Sequence, residues 1–317
     1  MAHEITETDI MIYTGRKPWH KLGKQMSQYF TAEQACIDEG LGWTVSSREL
    51  ITTDGVNLPG FRAIMRDDTQ ICLSVKTPDY KPFQNIEKFA FFDTVVGSGD
   101  AHYETAGSLM GGKKVYMIAR LKGDLLIAGK DKVEKYLALV DSFDGTCKLR
   151  MYFTPVRIVC NNTLNMSLKQ QEKPVAICHR GDLEGKVYEA KKVLGFADEY
   201  YKSFEEIANA LWQKKVDSEM VKKFIESVFK VEGEEEVATR TRNNMEQVEQ
   251  LFREDVKNHV PGMEDSMWGL YNAATQFADH EMTAVQGTQE RRMNSVMFGQ
   301  SLKLKDRALE FAMSAIK

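Results

Sequence analysis

Two periods of hydrophobic patterning divide this chain of 317 residues, and the change falls near residue 183. Before it, apolar positions recur mostly every second residue, the period of a strand with one buried face. Trp43 to Ile51 alternates in this way, and Asp54-Gly55 punctuates a turn. Phe61–Arg66 and Ile71–Val75 then flank Asp67-Asp68-Thr69-Gln70 as a hairpin. Residues 31–40 read as a short helix, with Thr31 as N-cap and Gly40 as stop. Asn85 opens a second helix that runs to about Val96 and ends at Gly97 and Gly99. Beyond it, His102–Leu109 and Lys113–Leu121 flank Gly111-Gly112. Tyr136–Ser142 and Lys148–Phe153 flank Phe143-Asp144-Gly145-Thr146, and Val156–Cys160 forms a further strand. After residue 183 the spacing changes to three and four. Helices are predicted over 183–212, 217–230, 240–257, 264–280 and 300–316. The fold class is therefore α+β, with a helix and antiparallel β-meander in the N-terminal half and a mainly helical C-terminal half. The expected division is a core at 1–182 with the antiparallel sheet, followed by a helical region at 183–317.

Charge adds a feature that hydropathy hides. The formal net charge is −4, yet residues 101–165 carry +4, between two flanks of −4 each. The total argues against a uniform basic coat and leaves room for a local basic patch. With 43% hydrophobic and 28% charged residues, the chain is an ordinary globular one. No run of about 18 uncharged apolar residues predicts a membrane span. The N-terminus lacks the basic and apolar regions of a signal peptide. Five scattered cysteines without a CxxC are read as reduced thiols, so a cytoplasmic protein is expected.

Familiar catalytic signatures are missing. No GxxxxGK[ST] cradles a triphosphate, no GxSxG, HExxH or GxGxxG stands in a suitable context, and the six histidines do not cluster at metal-ligand spacing. No cofactor, metal or catalytic residue is assigned. Asp141 and Asp144 near Lys148 could hold Mg²⁺ for phosphodiester hydrolysis, but Asp144-Gly145 is also ordinary turn chemistry. The basic island offers Lys113 and Lys114 on one hairpin and Lys148, Arg150 and Arg157 on or beside another. Strand alternation puts Lys148, Arg150 and Tyr152 on one face. Cations interleaved with aromatics suit a single nucleic-acid strand, through phosphate contacts and base stacking. The competing reading is a solvated sheet face. Tyr80-Lys81-Pro82-Phe83-Gln84-Asn85 has a similar mixture before a helix whose first N–H groups could bind phosphate. Tyr80 and Phe83 could equally plug the core. Trp19 could stack on a base or anchor the N-terminal arm, and Met293, Met297 and Met313 could serve a subunit interface or the core.

Several strings carry a resemblance. They are Pro18-Trp19-His20-Lys21-Leu22-Gly23, the Tyr80–Asn85 string, Tyr103-Glu104-Thr105-Ala106-Gly107-Ser108 and Thr154 to Leu164. Trp268-Gly269-Leu270-Tyr271-Asn272, Phe298-Gly299 and Lys303-Leu304-Lys305-Asp306-Arg307-Ala308-Leu309 complete the set. Over nearly the whole length the chain resembles the phage/plasmid-like protein family of unknown function. That resemblance implies a phage, prophage or plasmid origin. The order helix, Gly42-Trp43, three-stranded meander and helix also resembles, in topology, the core of the single-strand annealing recombinases, the superfamily of Erf and Red-beta. This second resemblance implies a ring or other homo-oligomer that binds single-stranded DNA in a basic groove without nucleotide hydrolysis. On that basis Lys81, Lys113, Lys114, Lys148, Arg150 and Arg157 are expected to meet phosphates, with Tyr80 or Tyr152 stacking on bases. The alternatives are an anti-defence or host-interaction protein, and a metal-dependent nuclease using Asp141 and Asp144.

Overall fold

A computed structural model describes residues 8–15, 23–96, 101–146, 149–154, 175–177, 197–231, 237–255, 260–282 and 300–317. The described residues fall into two units. One holds those up to Lys122, Tyr136–Phe153 and the strand at 175–177. The other holds Gly123–Lys135 and the residues from Asp198 onward. The strands lie in the N-terminal half and the helices mainly in the C-terminal half.

The described strands form two sheets, whose residues belong to the first unit apart from the β7–β8 segment at 123–135 and Thr154. Strands β1 (Met11–Tyr13), β2 (Lys24–Gln25), β6 (Ala101–Leu109), β7 (Lys114–Ile127), β8 (Asp131–Ser142), β9 (Leu149–Thr154) and β10 (Val175–Ile177) form a seven-stranded sheet. Its order is β10-β9-β8-β7-β6-β1-β2. Strands β3 (Val45–Ile51), β4 (Asn57–Arg66) and β5 (Ile71–Lys76) form the expected antiparallel meander. Helix α1 (Ala32–Ile37) starts as its sequence predicts. Thr31 Oγ1 accepts from Gln34 N at 3.1 Å and Gln34 Oε1 accepts from Thr31 N at 2.9 Å, a reciprocal cap. Helix α2 covers Asn85–Val96.

A cluster of Trp43, Val45, Ile64, Leu73, Val115 and Phe143 packs the small sheet against the large one. Arg66 sits at its rim. The guanidinium lies 4.4 Å from the Trp43 ring centre, pairs with Asp68, and donates to the carbonyls of Thr8 and Gly111. Asp9 completes this corner by accepting from Gly111 N (2.8 Å), Gly112 N (2.9 Å) and Ser108 Oγ (2.8 Å). The N-terminal strand β1 had no signature in the hydropathy pattern. Its position depends on these long-range bonds and on antiparallel pairing with Thr105–Gly107.

Strands β7 and β8 extend beyond the ranges read from the sequence. Gly123, within β7, has φ +77°. Alternation nevertheless resumes through buried Leu125, Ile127 and Val133, so the turn comes at 128–130. The predicted strand at Val156–Cys160 and the start of the helix predicted over 183–212 lie outside the described residues.

The second unit contains helices α3 (Ala197–Gln213), α4 (Ser218–Phe229), α5 (Thr239–Gln250), α6 (Met267–Gln276) and α7 (Gln300–Ala315). Helices α5 and α6 continue into single π-helical turns at Leu251–Asp255 and Phe277–Glu281. In α4, Val221, Phe224, Ile225 and Val228 are buried at helical spacing, and Asp217 caps the start by accepting from Met220 N. Trp268 to Tyr271 are all buried, and the Trp268 indole donates to the buried Asp131 at 3.0 Å. Lys305 and Asp279 form a buried pair at 2.7 Å. Among the described residues, no helix is long and apolar enough to cross a membrane.

Candidate nucleic-acid interface

The meander places cations opposite one another. Antiparallel register sets Arg62 of β4 directly against Lys76 of β5. Like charges in that position weaken a sheet by about 0.2–1 kcal/mol unless something compensates. The compensation is partial. Glu49 stands opposite Arg62 on β3, but its carboxylate is 3.7 Å from the guanidinium and largely exposed. Lys76 Nζ donates to the Asp144 backbone carbonyl at 2.8 Å. A carbonyl orients the ammonium without neutralising it. Gly145 next to it has φ +76°, a conformation glycine adopts without strain, and its lack of a Cβ leaves room for Lys76 Nζ.

Other cations gather at this end of the unit. Lys81 is exposed and follows Tyr80, whose ring lies 5.8 Å from Lys76 Nζ. Lys113 is half-buried, and its carbonyl accepts from Phe143 N at 2.8 Å, which ties the β6–β7 turn to the β8–β9 turn. Phe61, beside Arg62, is 51% exposed. Arg62, Lys76 and Phe61 escaped the sequence reading because single residues in a strand do not reveal their cross-strand neighbours. Register sets Arg62 and Lys76 on one face of the meander, while Phe61 points to the other.

Several sequence expectations are corrected. Lys114 is buried, 5% exposed, because β7 is covered on both faces over 114–117. Simple alternation, which would give it a wet face, does not apply there, so it is not a surface phosphate contact. Tyr80 is half-buried against the Trp43 cluster, and burial raises its hydroxyl pKa, reinforced by Asp141 and Asp144. It is a core contact more than an open stacking platform. The start of α2 is not free for phosphate. Glu87 accepts from Gln84 N at 2.9 Å, the Gln84 side chain bonds both N and O of Val45, and Asn85 is fully buried and donates to Leu41 O. Lys148 and Arg157 lie outside the described residues, as do the side chains of Arg150 and Tyr152. Leu149, Met151 and Phe153 of β9 are buried at alternate positions, with Arg150 and Tyr152 between them.

The two aspartates considered for a metal have other roles. Asp141 is wholly buried and pairs with Lys88 of α2 at 2.7 Å, with the Lys88 ammonium 3.5 Å from the Phe143 ring centre. Burial pushes the Lys88 pKa down against the pull of Asp141. Asp144 accepts from Thr146 N and Oγ1 in an ordinary turn. Among the described residues, no group of three or more His, Cys, Asp or Glu is placed to hold a metal ion. Arg120 of the basic island is partly offset by Glu104 at 3.7 Å, which also accepts from Tyr136.

Fold and site together define an α+β protein with a cation-bearing meander. The chain belongs to the family described as Domain of unknown function (DUF932), which matches residues 72–298. The match begins within β5 and ends before α7, so β1 to β4 lie outside it. Comparison with curated proteins found no match, and neither did comparison with solved structures.

Proposed function

We propose that this is a single-stranded DNA binding and annealing protein of a phage or other mobile element, acting as a homo-oligomer without nucleotide hydrolysis. The observation that carries the reading is the register pair Arg62–Lys76. Two cations held side by side, with one weak carboxylate partner on the far side of Arg62, are stabilised by a polyanion. Lys81 and Lys113 extend the positive surface. The annealing activity and the mobile-element origin rest on the resemblances drawn from the strings and the meander order.

The test is fluorescence anisotropy with a labelled oligothymidylate across a salt series, with and without Mg²⁺. Binding should weaken with salt, and the substitutions Arg62→Ser and Lys81→Glu together should lower the slope by about 0.7 for each phosphate no longer neutralised. Unchanged affinity and slope would refute the interface. Cleavage of the oligonucleotide only with Mg²⁺ would instead favour the nuclease.

A second reading, a host-interaction protein, is favoured by one observation. Ile51, Val56, Leu58 and Phe61 on the β3–β4 hairpin are each at least 38% exposed, an apolar surface of the kind that contacts proteins. Absence of any nucleic-acid affinity in the same assay would leave this reading standing.

A further inference from the structure

The string Lys303–Leu309 contributes nothing to the interface above, yet its residues divide cleanly by face. Leu304, Lys305, Ala308 and Leu309 are buried inside the helical unit. Lys303, Asp306 and Arg307, with Glu310 one turn on, line an open cleft of ≈ 410 Å³ together with Ser227 and Lys230 from the end of α4. That volume falls within the range of small-ligand sites.

Arg307 is held in place without being neutralised. Arg307 Nε donates to the Val228 carbonyl, which satisfies the end of α4 and fixes the guanidinium plane. Lys230 ends α4 in the left-handed conformation, at φ 57°, where glycine is the usual residue. Among the described residues, neither Lys230, Lys303 nor Arg307 forms an ion pair. Burial lowers the Arg307 pKa, although Asp306 pulls the other way. A negative group in the cleft would offset that desolvation by direct attraction.

We propose that the α4–α7 cleft binds a phosphate ester, with Arg307, Lys303 and Lys230 meeting its oxygens. Arg307 presents a planar fork suited to two phosphate oxygens, and the lysines act as point charges around it. Asp306 and Glu310 line the same cleft, so three cations face two carboxylates and the site is matched to one phosphate rather than a run of them. The site belongs to the helical unit and does not depend on the meander interface.

Isothermal titration of the full chain tests it with three probes: inorganic phosphate, adenosine monophosphate and an eight-nucleotide oligothymidylate. The expected result is saturable binding of at least one probe, weakened about tenfold or more by Lys303→Glu combined with Lys230→Glu. Both positions are at the surface of the cleft, so these variants should keep the fold, checked by circular dichroism. Binding of phosphate or the mononucleotide identifies a free phosphate compound as the ligand. Binding of the oligonucleotide alone, abolished in the double variant, identifies a nucleic-acid phosphate. No binding of any probe overturns the proposal. So does oligonucleotide binding that falls with Arg62→Ser and is unmoved by the Lys303/Lys230 pair, an outcome that would uphold the meander interface.

Discussion

A buried Lys88–Asp141 pair is costly to make and more costly to break. Both groups are 0% exposed, and the ring of Phe143 closes over the ammonium. Removing one partner leaves the other charge buried, so Lys88→Ala should destabilise the protein by about 3–5 kcal/mol in urea unfolding. The double replacement Lys88→Met with Asp141→Leu should recover most of that stability. A single variant as stable as the parent would show that the pair contributes little. At the surface, Asp67 behaves differently. Its pKa is lowered chiefly by the Ser46 hydroxyl, with Thr44 and Arg48 adding to the effect. A carboxylate depressed in the folded state stabilises above its unfolded value of about 3.9, and that contribution fades as pH falls through the folded pKa. The stability gap between the parent and Asp67→Asn should therefore be constant above about pH 5 and narrow below about pH 4. A gap that widens on acidification would contradict the sign. Individual residues also mark where sequence reading stops. Thr31 was readable as a cap because its partner Gln34 is three residues away. Lys88 was not readable as an ion-pair member because Asp141 is distant in sequence.

At the scale of elements, the turn between β6 and β7 joins three parts of the first unit. Gly112 has φ +93°, and a Cβ on it would stand 2.8 Å from the Trp43 ring and 3.1 Å from Arg66 Nη1. Gly112→Ala should cost about 1–3 kcal/mol through strain at positive φ and through displacement of the Arg66–Trp43 stack. Thermal unfolding would measure this, and an unchanged midpoint would mean that the corner relaxes freely. Two of the family-resembling strings fit the same pattern. Tyr103 bonds Asp93 and packs with Phe30 and Phe92, and a Cβ on Gly107 would meet the Ile10 carbonyl at 2.7 Å. Trp268 to Tyr271 are buried. These strings hold elements together, which is why their residue types alone gave little indication of chemistry. The string at 303–309 differs, since three of its seven residues line a cleft.

For the whole molecule, the annealing proposal predicts assembly. Light scattering should give a mass that is a multiple of 36.1 kDa, increased or reorganised by single-stranded DNA. A strict monomer with and without DNA would remove the ring from the proposal. The charge pattern needs the same larger view. The basic island was visible as a number in residues 101–165, but burial withdraws Lys114 and Glu104 offsets Arg120. The cations that face one another across the meander, Arg62 and Lys76, lie outside that island. Local patterning was enough to establish the α+β class, the meander, α1 and α2, and the five helical segments. Periodicity, caps and turn residues act within a few positions, and those signals survive in the linear chain. Only folding could determine which strand each edge would meet, that β7 would be covered on both faces, and that Lys88 would find Asp141. It also set Lys303 and Arg307 around one cleft with Lys230. Register and burial depend on contacts between residues far apart in sequence, and no local pattern encodes their partners.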